Sequence, residues 1–161
     1  VVKRVYINSV DELPQVMADL FEEFYRIDYS PMLVRELSLM ADLHRDYFLH
    51  SIGPDGAPWK PNAPLTIARK GHRKVLFGIP SHGHPLFHSL TDKQPSDDAI
   101  RQAFHTGRGS YLVFGTRVPY SIFHDEPRGR TPARRHVGLT EKYVDQLAER
   151  VADYAVARLA E

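Results

Sequence analysis

Three histidines that lie close together are the densest group of side chains able to bind a metal. They occur in the stretch His82-Gly-His84-Pro-Leu-Phe-His88. Neutral imidazoles at this spacing can bind zinc, nickel or copper if the loop folds back on itself. The stretch has no H-E-x-x-H pattern, no adjacent carboxylate triad and no thiolate. We therefore favour a hydrogen-bonding loop cluster, with a metal-dependent hydrolase using these three histidines as an alternative.

A second candidate for chemistry is His124-Asp125-Glu126, where an imidazole is followed by two carboxyl groups. A carboxylate that orients an imidazole is typical of acid-base catalysis. Neighbouring residues of a helix or turn point in different directions, however, so adjacency alone does not orient this imidazole. No serine lies in a G-x-S-x-G turn, and no glycine cluster fits a P-loop or a dinucleotide-binding pattern. We expect no enzyme, no catalytic residue and no cofactor.

Four arginines make the main charge cluster: Arg128, Arg130, Arg134 and Arg135. A guanidinium group can bind a carboxylate or a phosphate through two parallel hydrogen bonds, so this loop is a candidate for contact with a partner. The other interpretation is a solvated loop in which one arginine is fixed by carbonyl or carboxylate groups. A small nucleic-acid-binding module that uses this loop is a further alternative; we expect DNA contact to be at most non-specific.

The composition limits the classes of protein to which the chain can belong. Its 161 residues, 42% of them hydrophobic, are enough to bury one core. The 21 Lys and Arg nearly balance the 20 Asp and Glu, so no global charge attracts nucleic acid or an anionic membrane. Cysteine is absent, which excludes disulfides and suits a reducing compartment. No apolar run approaches the ~20 residues that span a bilayer, and the first ten residues lack the apolar region of a signal peptide. We expect a single domain, residues 1–161, without membrane contact.

The elements that position these residues follow from hydrophobic periodicity. Residues 1–8 predict an edge strand, and residues 9–52 predict two helices, the first starting at a Ser9–Glu12 capping box. We expect one stripe of each helix to face the core. The first stripe contains Leu13, Val16, Met17, Leu20, Phe21 and Phe24. The second contains Leu33, Leu37, Met40, His44, Tyr47 and Phe48.

The second half of the chain predicts a small sheet. Residues 53–73 form a loop rich in Pro and Gly around the single Trp, with a helical turn over 65–70, and residues 74–139 form a β-rich region. Its candidate strands are 75–77, 86–90, 99–104 and 111–114, with a hairpin turn at 106–109. Residues 140–161 predict a C-terminal helix that buries Val144, Leu147, Val151, Tyr154 and Ala155. The fold class is therefore α+β: a small antiparallel or mixed sheet packed against two N-terminal helices and a C-terminal helix.

Three segments, in order, carry a resemblance to a known family. The first is Gly53-Pro-Asp-Gly-Ala-Pro-Trp-Lys-Pro61, followed by Thr66 and Lys70. The second is Phe114-Gly-Thr-Arg-Val-Pro-Tyr-Ser-Ile-Phe-His124, and the third is Pro132-Ala-Arg-Arg-His-Val-Gly-Leu139 before the last helix. Together they resemble the phage virion morphogenesis proteins, the tail-completion group typified by the Mu-like G protein. The resemblance covers about residues 30–160. The chain departs from the family pattern at two places. It has Arg135-His136 where the family has Pro-Phe, and Asp125-Glu126-Pro127 where the family has Gln-x-Gly.

The resemblance implies a tail-completion-like fold and a structural subunit without enzymatic activity. The subunit would form a homo-oligomeric ring, expected to be hexameric, at the head–tail junction or the head-proximal end of the tail. Its other partners would be neck and tail proteins such as the adaptor, the stopper, the tail tube or the terminator. Its place would be the virion tail or neck, after assembly in the host bacterial cytoplasm.

A ring built from head-to-tail contacts needs two different surfaces on each subunit. We expect these at the Trp59 loop and at residues 127–137. Trp59 either fixes its loop to its own helices or anchors a neighbouring subunit. Arg134 either ties its segment to the rest of the subunit or bridges to the next one. The full set of interface candidates is Asp55, Trp59, Lys60, Tyr120, Arg128, Arg130, Arg134 and Arg135.

Overall fold

The structure, a computed structural model, describes residues 9–78, 80–126 and 132–160. It confirms a mixed α+β chain with a two-stranded antiparallel sheet. The predicted strand at residues 1–8 and the candidates Arg128 and Arg130 lie outside the described residues. In order, the helices and strands are α1 Leu13–Arg26, α2 Ser30–His50, α3 Pro64–Lys70, α4 Pro85–Thr91, β1 Ala99–Thr106, β2 Gly109–Thr116, α5 Ile122–Asp125 and α6 Glu141–Leu159.

Helix α2 is the centre of the fold and packs against α4 and both strands. The predicted stripe is largely confirmed, because five of its six residues are buried and Leu37 is half-buried. The adjacent core residues come from the loops on either side of α3 and from α4, and Phe48 packs edge-on against both Trp59 and Phe77. Three- and four-residue spacing therefore predicted this face correctly.

The predicted hairpin is confirmed, with strands slightly longer than expected. Strands β1 and β2 pair from Ala99↔Thr116 to Thr106↔Gly109. Gly109 has φ 129°, a backbone conformation that favours glycine and that the tight turn requires. One face of the hairpin packs on α2, and the other is turned away from the core.

The other two strand predictions are wrong. Residues 75–77 are buried but form no strand, because Leu76 has φ 61°, which lies outside the β region. Residues 86–90 belong to helix α4, which begins at Pro85, a favourable first helical residue. Leu86 and Leu90 are both buried at a spacing of four, the helical period. A short apolar run is compatible with either period, so the sequence did not decide between them. The region 74–139 is therefore less β-rich than predicted.

Helix α6 forms where predicted, with the Thr140 side chain accepting a hydrogen bond from the backbone N–H of Tyr143 at 3.1 Å. Its buried residues are Tyr143 and Ala155. The predicted stripe is wrong at Val144, which is 48% exposed. The cause is a polar contact with α2, where the Glu36 carboxylate accepts hydrogen bonds from Arg150 and Tyr143 at 2.8 Å each. This contact sets which face of α6 is turned inward.

Helix α1 differs most from the prediction. Its apolar stripe was expected to face the core, yet none of the residues of α1, all of which are described, is buried. Phe21 is 56% and Tyr25 69% exposed. The helix follows a 3-10 turn at Val10–Glu12, so it starts later than the capping box indicated. No helix in the described residues is long and apolar enough to cross a membrane.

Candidate assembly surface

The Trp59 loop is folded by its own backbone hydrogen bonds. Helix α2 is capped at its C-terminus by Ser51, which has a left-handed φ of 55° and donates its N–H to the Tyr47 carbonyl. Trp59 then donates its N–H to the Ser51 carbonyl at 2.7 Å. A tight turn inside the loop is held by Gly53 N–H to Ala57 O at 2.8 Å. The loop between α2 and α3 therefore has a defined shape, as its Pro and Gly content predicted.

The Trp59 side chain is buried within its own subunit. The indole packs edge-on against Phe48, with ring centroids 5.4 Å apart, and donates from Nε1 to the Arg135 carbonyl at 2.8 Å. Gly53 fits closely beneath it, since a Cβ there would lie 2.7 Å from the Asp55 carboxylate and 3.2 Å from the same carbonyl oxygen. Of the two interpretations of Trp59, the structure shows the intramolecular one.

Arg134 extends the same junction from the opposite segment. It is 7% exposed, and its Nε and Nη2 donate to the carbonyls of Lys60 and Pro61 at 3.0 and 3.2 Å. Burial lowers the pKa of its guanidinium below the ordinary value. One arginine thus satisfies two carbonyls that the loop leaves free. Arg134 ties residues 132–139 to the Trp59 loop, which is the first of its two predicted roles.

The remaining interface candidates in the described residues are on the surface. Asp55, Lys60 and Arg135 are exposed, and Tyr120 is 39% exposed. The Asp55 carboxylate accepts the Ala57 N–H at 3.0 Å and so stabilises the tip of the loop. These four side chains are accessible to another chain, whereas the buried Trp59 and Arg134 hold together the two loops on which three of them lie.

A histidine network links this junction to α2 and α5. His136 is fully buried, and its Nδ1 lies 3.1 Å from the Arg134 carbonyl and 3.2 Å from the Asp125 carboxylate. Burial lowers the pKa of His136, against the opposing effect of Asp125. Burial also lowers the pKa of His124 to about 4, and the neighbouring His136 contributes. The carboxylate of the His124-Asp125 pair therefore contacts His136, a partner that sequence adjacency did not indicate.

The histidine stretch between Phe77 and α4 is only partly assembled into a cluster. The His84 ring lies 6.2 Å from those of His72 and His88, whereas His82 is exposed. The Nε2 of His72 lies 3.0 Å from the Gly78 carbonyl, and Nδ1 of His88 lies 3.0 Å from the Asp92 carboxylate. Across the described residues, no three His, Asp or Glu side chains are arranged to hold a metal ion. The structure brings His72 into this group, which the sequence did not predict.

Two apolar surfaces remain open in the described part of the chain. One is the stripe of α1, and the other is the outer face of the hairpin, where Phe104 and Tyr111 stack with centroids 5.3 Å apart. Both rings are about two-fifths exposed, as is Val113 on the same face. Sequence reasoning missed the second surface. Side chains alternate between the two faces of a strand, so pairing β1 with β2 across the 106–109 turn would have placed Phe104, Tyr111 and Val113 on one face.

Comparisons of the chain with protein-family models, with curated proteins and with solved structures find no match. The geometry combines a hydrogen-bonded junction of two loops with exposed apolar side chains on α1 and on the hairpin. Such an arrangement is suited to protein–protein contact.

Proposed function

We propose that this chain is a structural virion assembly protein of a tailed bacteriophage or prophage. Its fold would be of the tail-completion type. It forms a homo-oligomeric ring, hexameric by the family resemblance, at the head–tail junction or the head-proximal end of the tail, where it contacts neck and tail proteins. It acts as a tail-completion, terminator or neck protein and not as an enzyme.

The observation that carries this proposal is the pair of open apolar surfaces. A monomeric protein rarely leaves large contiguous apolar patches in water, and such patches mark interaction sites. Helix α1 exposes Leu13, Met17, Phe21 and Tyr25, and the hairpin exposes an aromatic pair. Because these two surfaces differ, they suit the head-to-tail contacts of a closed ring better than the two loops expected from the sequence, which pack on each other within one chain.

The spatial arrangement of the three motif segments gives further support. Trp59 of the first segment donates to the Arg135 carbonyl of the third, and Arg134 of the third donates back to the first. The second segment joins them, because Val118 is in the core with Trp59 and the His124 carbonyl accepts the Arg134 N–H. The three segments that carry the resemblance, although distant in sequence, thus form one structural unit.

The decisive experiment is deletion of the gene from the phage or prophage that encodes it, followed by electron microscopy of the lysate. A tail-completion or neck role predicts filled heads beside free mature tails, and a terminator role predicts over-long tails. Complementation with the gene on a plasmid should restore whole particles. Normal, infectious virions from the deletion would overturn the proposal.

A further inference from the structure

The exposed side of α1 is an apolar stripe of Leu13, Met17, Phe21 and Tyr25, three of which belong to the stripe predicted from the sequence. Leu13, Met17 and Phe21 follow one another at four-residue steps and are 42%, 40% and 56% exposed, and Tyr25 extends the row at 69%. Side chains at this spacing lie on one side of a helix. The helix joins α2 through a short connection in which the Tyr29 N–H donates to the Ser110 hydroxyl at 2.9 Å. The element is therefore anchored at one end, and this row of side chains is open, whereas Val16, Leu20 and Phe24 on the adjoining side are half-buried.

The outer face of the hairpin exposes the apolar side chains of Phe104, Tyr111 and Val113. Phe104 and Tyr111 are directly opposite each other in the register, and Val113 faces Gln102 two pairs further along, on the same side of the hairpin. A helix of 14 residues is about 21 Å long, and a strand of eight residues is about 26 Å long. The stripe of α1 can therefore lie along the hairpin without overhanging it.

The charges of the two elements are complementary. The segment from Asp11 to Arg26 has five acidic residues and Arg26 as its only cation. The segment from Ala99 to Arg117 has no acidic residue, and its arginines are Arg101, Arg108 and Arg117. Arg101 is directed at the Ser89 and Asp92 carbonyls on the inner side, whereas Arg108 and Arg117 are exposed at the two ends of the hairpin. An acidic helix on this strip would meet the Arg108 cation at the turn, whereas at the other end Arg117 lies beside Asp97 and Asp98.

We propose that the apolar stripe of α1 in one copy of this chain packs on the outer face of the β1–β2 hairpin in the next copy. This inference rests on the proposed ring and specifies the interface that builds it. The occupant of each surface is a second copy, because the two surfaces match in length and oppose in charge within one sequence. The contact is head-to-tail, so each subunit uses its stripe on one side and its hairpin on the other.

The test uses two variants of the full chain, each altered on one surface. Phe21→Gln removes the ring at the centre of the stripe and keeps a helix-favouring residue. Phe104→Thr removes the ring on the hairpin and keeps a strand-favouring residue. Leu65→Gln, at a 73% exposed residue of α3, is the matched control. Circular dichroism and thermal unfolding establish that all variants fold, and analytical ultracentrifugation measures association over a range of concentrations.

We expect the unaltered chain and Leu65→Gln to form the same oligomers. Each of the other two variants should associate at least about tenfold more weakly, since central aromatic residues dominate interfaces. A mixture of Phe21→Gln and Phe104→Thr should give a discrete dimer, because one intact stripe still meets one intact hairpin. Higher salt should weaken association by screening the charges.

Two results would overturn the inference. One is an unaltered chain that stays monomeric at all concentrations; the other is oligomers that persist unchanged in both variants. If oligomers persist in both variants, the interface lies elsewhere on the chain, and the proposed ring is not contradicted. The proposed role in the virion is tested separately by the deletion phenotype, so failure of the interface and failure of the proposed function are distinguishable.

Discussion

Arg134 and Arg135 are neighbours in sequence with opposite surroundings, and this contrast shows how single residues shape the assembly surface. The Arg134 side chain is buried on two carbonyls, whereas the Arg135 side chain is exposed and its backbone carbonyl accepts from Trp59. The sequence predicted that one arginine of the cluster would be fixed by carbonyl or carboxylate groups. The sequence indicated Arg134 as this arginine but did not decide whether its partners belong to the same chain. The two carbonyls lie 74 and 73 residues away along the chain, and contacts at such distances produce no local sequence pattern.

Replacement of Arg134 by lysine should destabilise the fold by about 1–3 kcal/mol, because one ammonium group cannot satisfy both carbonyls in the geometry of a guanidinium. Urea unfolding followed by circular dichroism measures this change. Arg135→Lys is the matched control and should stay within about 0.5 kcal/mol of the unaltered chain. Equal effects of the two substitutions would contradict the assigned role of Arg134.

The stability of the protein should fall in mild acid because of buried histidines. Burial lowers the pKa of His44 to about 4 in the folded state, from about 6.5 in the unfolded chain. Between these values only the unfolded chain binds the proton, so stability is complete above pH 6.5 and is lost as the pH falls towards 4. One such group contributes a slope of at most about 1.4 kcal/mol per pH unit.

His44→Gln should therefore be less stable at pH 7 but lose less stability between pH 6.5 and 4.5. Urea unfolding at a series of pH values gives both quantities. His50→Gln, at an exposed position of the same helix, is the control and should keep the slope of the unaltered chain. An unchanged slope in His44→Gln would show that other groups cause the acid sensitivity.

At the scale of elements, contact between α2 and α6 depends on a polar group inside an otherwise apolar face. Glu36 is 2% exposed and lies on the buried side of α2, where the apolar pattern gave no reason to expect a carboxylate. The Arg150 guanidinium binds it through Nε and Nη2, and the Tyr143 hydroxyl donates to it as well. This is why periodicity predicted the position of α6 but placed Val144, and not Tyr143, on its buried side. For α4, periodicity failed for another reason, since a seven-residue helix is too short to show its period.

Arg150→Met should destabilise the chain by about 2 kcal/mol, because it leaves the Glu36 carboxylate buried with one partner. This is below the 3–5 kcal/mol typical of a fully buried pair, since the Arg150 side chain is 35% exposed. The double variant Glu36→Leu/Arg150→Met should recover most of the loss, because it also removes the charge. Thermal and urea unfolding of both variants check this.

Lys142→Met on the exposed side of the same helix is the control and should change stability by about 0.5 kcal/mol or less. A double variant as unstable as Arg150→Met would contradict the explanation by an unpaired charge.

At the scale of the whole molecule, the chain consists of a packed body around α2 and a helix, α1, that buries none of its residues. The sequence predicted the body well, since α2, the hairpin and α6 all form at the expected places. It predicted α1 as an amphipathic helix but was wrong to bury its stripe, since Leu13, Met17 and Phe21 are exposed and Val16, Leu20 and Phe24 are only half-buried. Periodicity shows that a helix has an apolar side and does not show whether the surface that covers it belongs to the same chain.

Amide hydrogen exchange should separate these two parts. At concentrations where the chain is monomeric, α1 should exchange with little protection, whereas α2 should approach the protection of global unfolding. Raising the concentration into the oligomeric range should protect α1 and leave α2 nearly unchanged, with Phe21→Gln as the control that keeps α1 exposed. Protection of α1 in the monomer equal to that of α2 would show that the stripe is covered within one chain.

Trp59 is the only tryptophan in the chain, and its indole lies where the loop after α2 meets residues 132–139. Every photon of tryptophan emission therefore originates at this junction. Separation of the two segments would transfer the indole from an apolar contact into water and shift its spectrum to longer wavelength. The protein thus contains an intrinsic fluorescent reporter of whether these two segments are in contact, and it can be read without attaching a label.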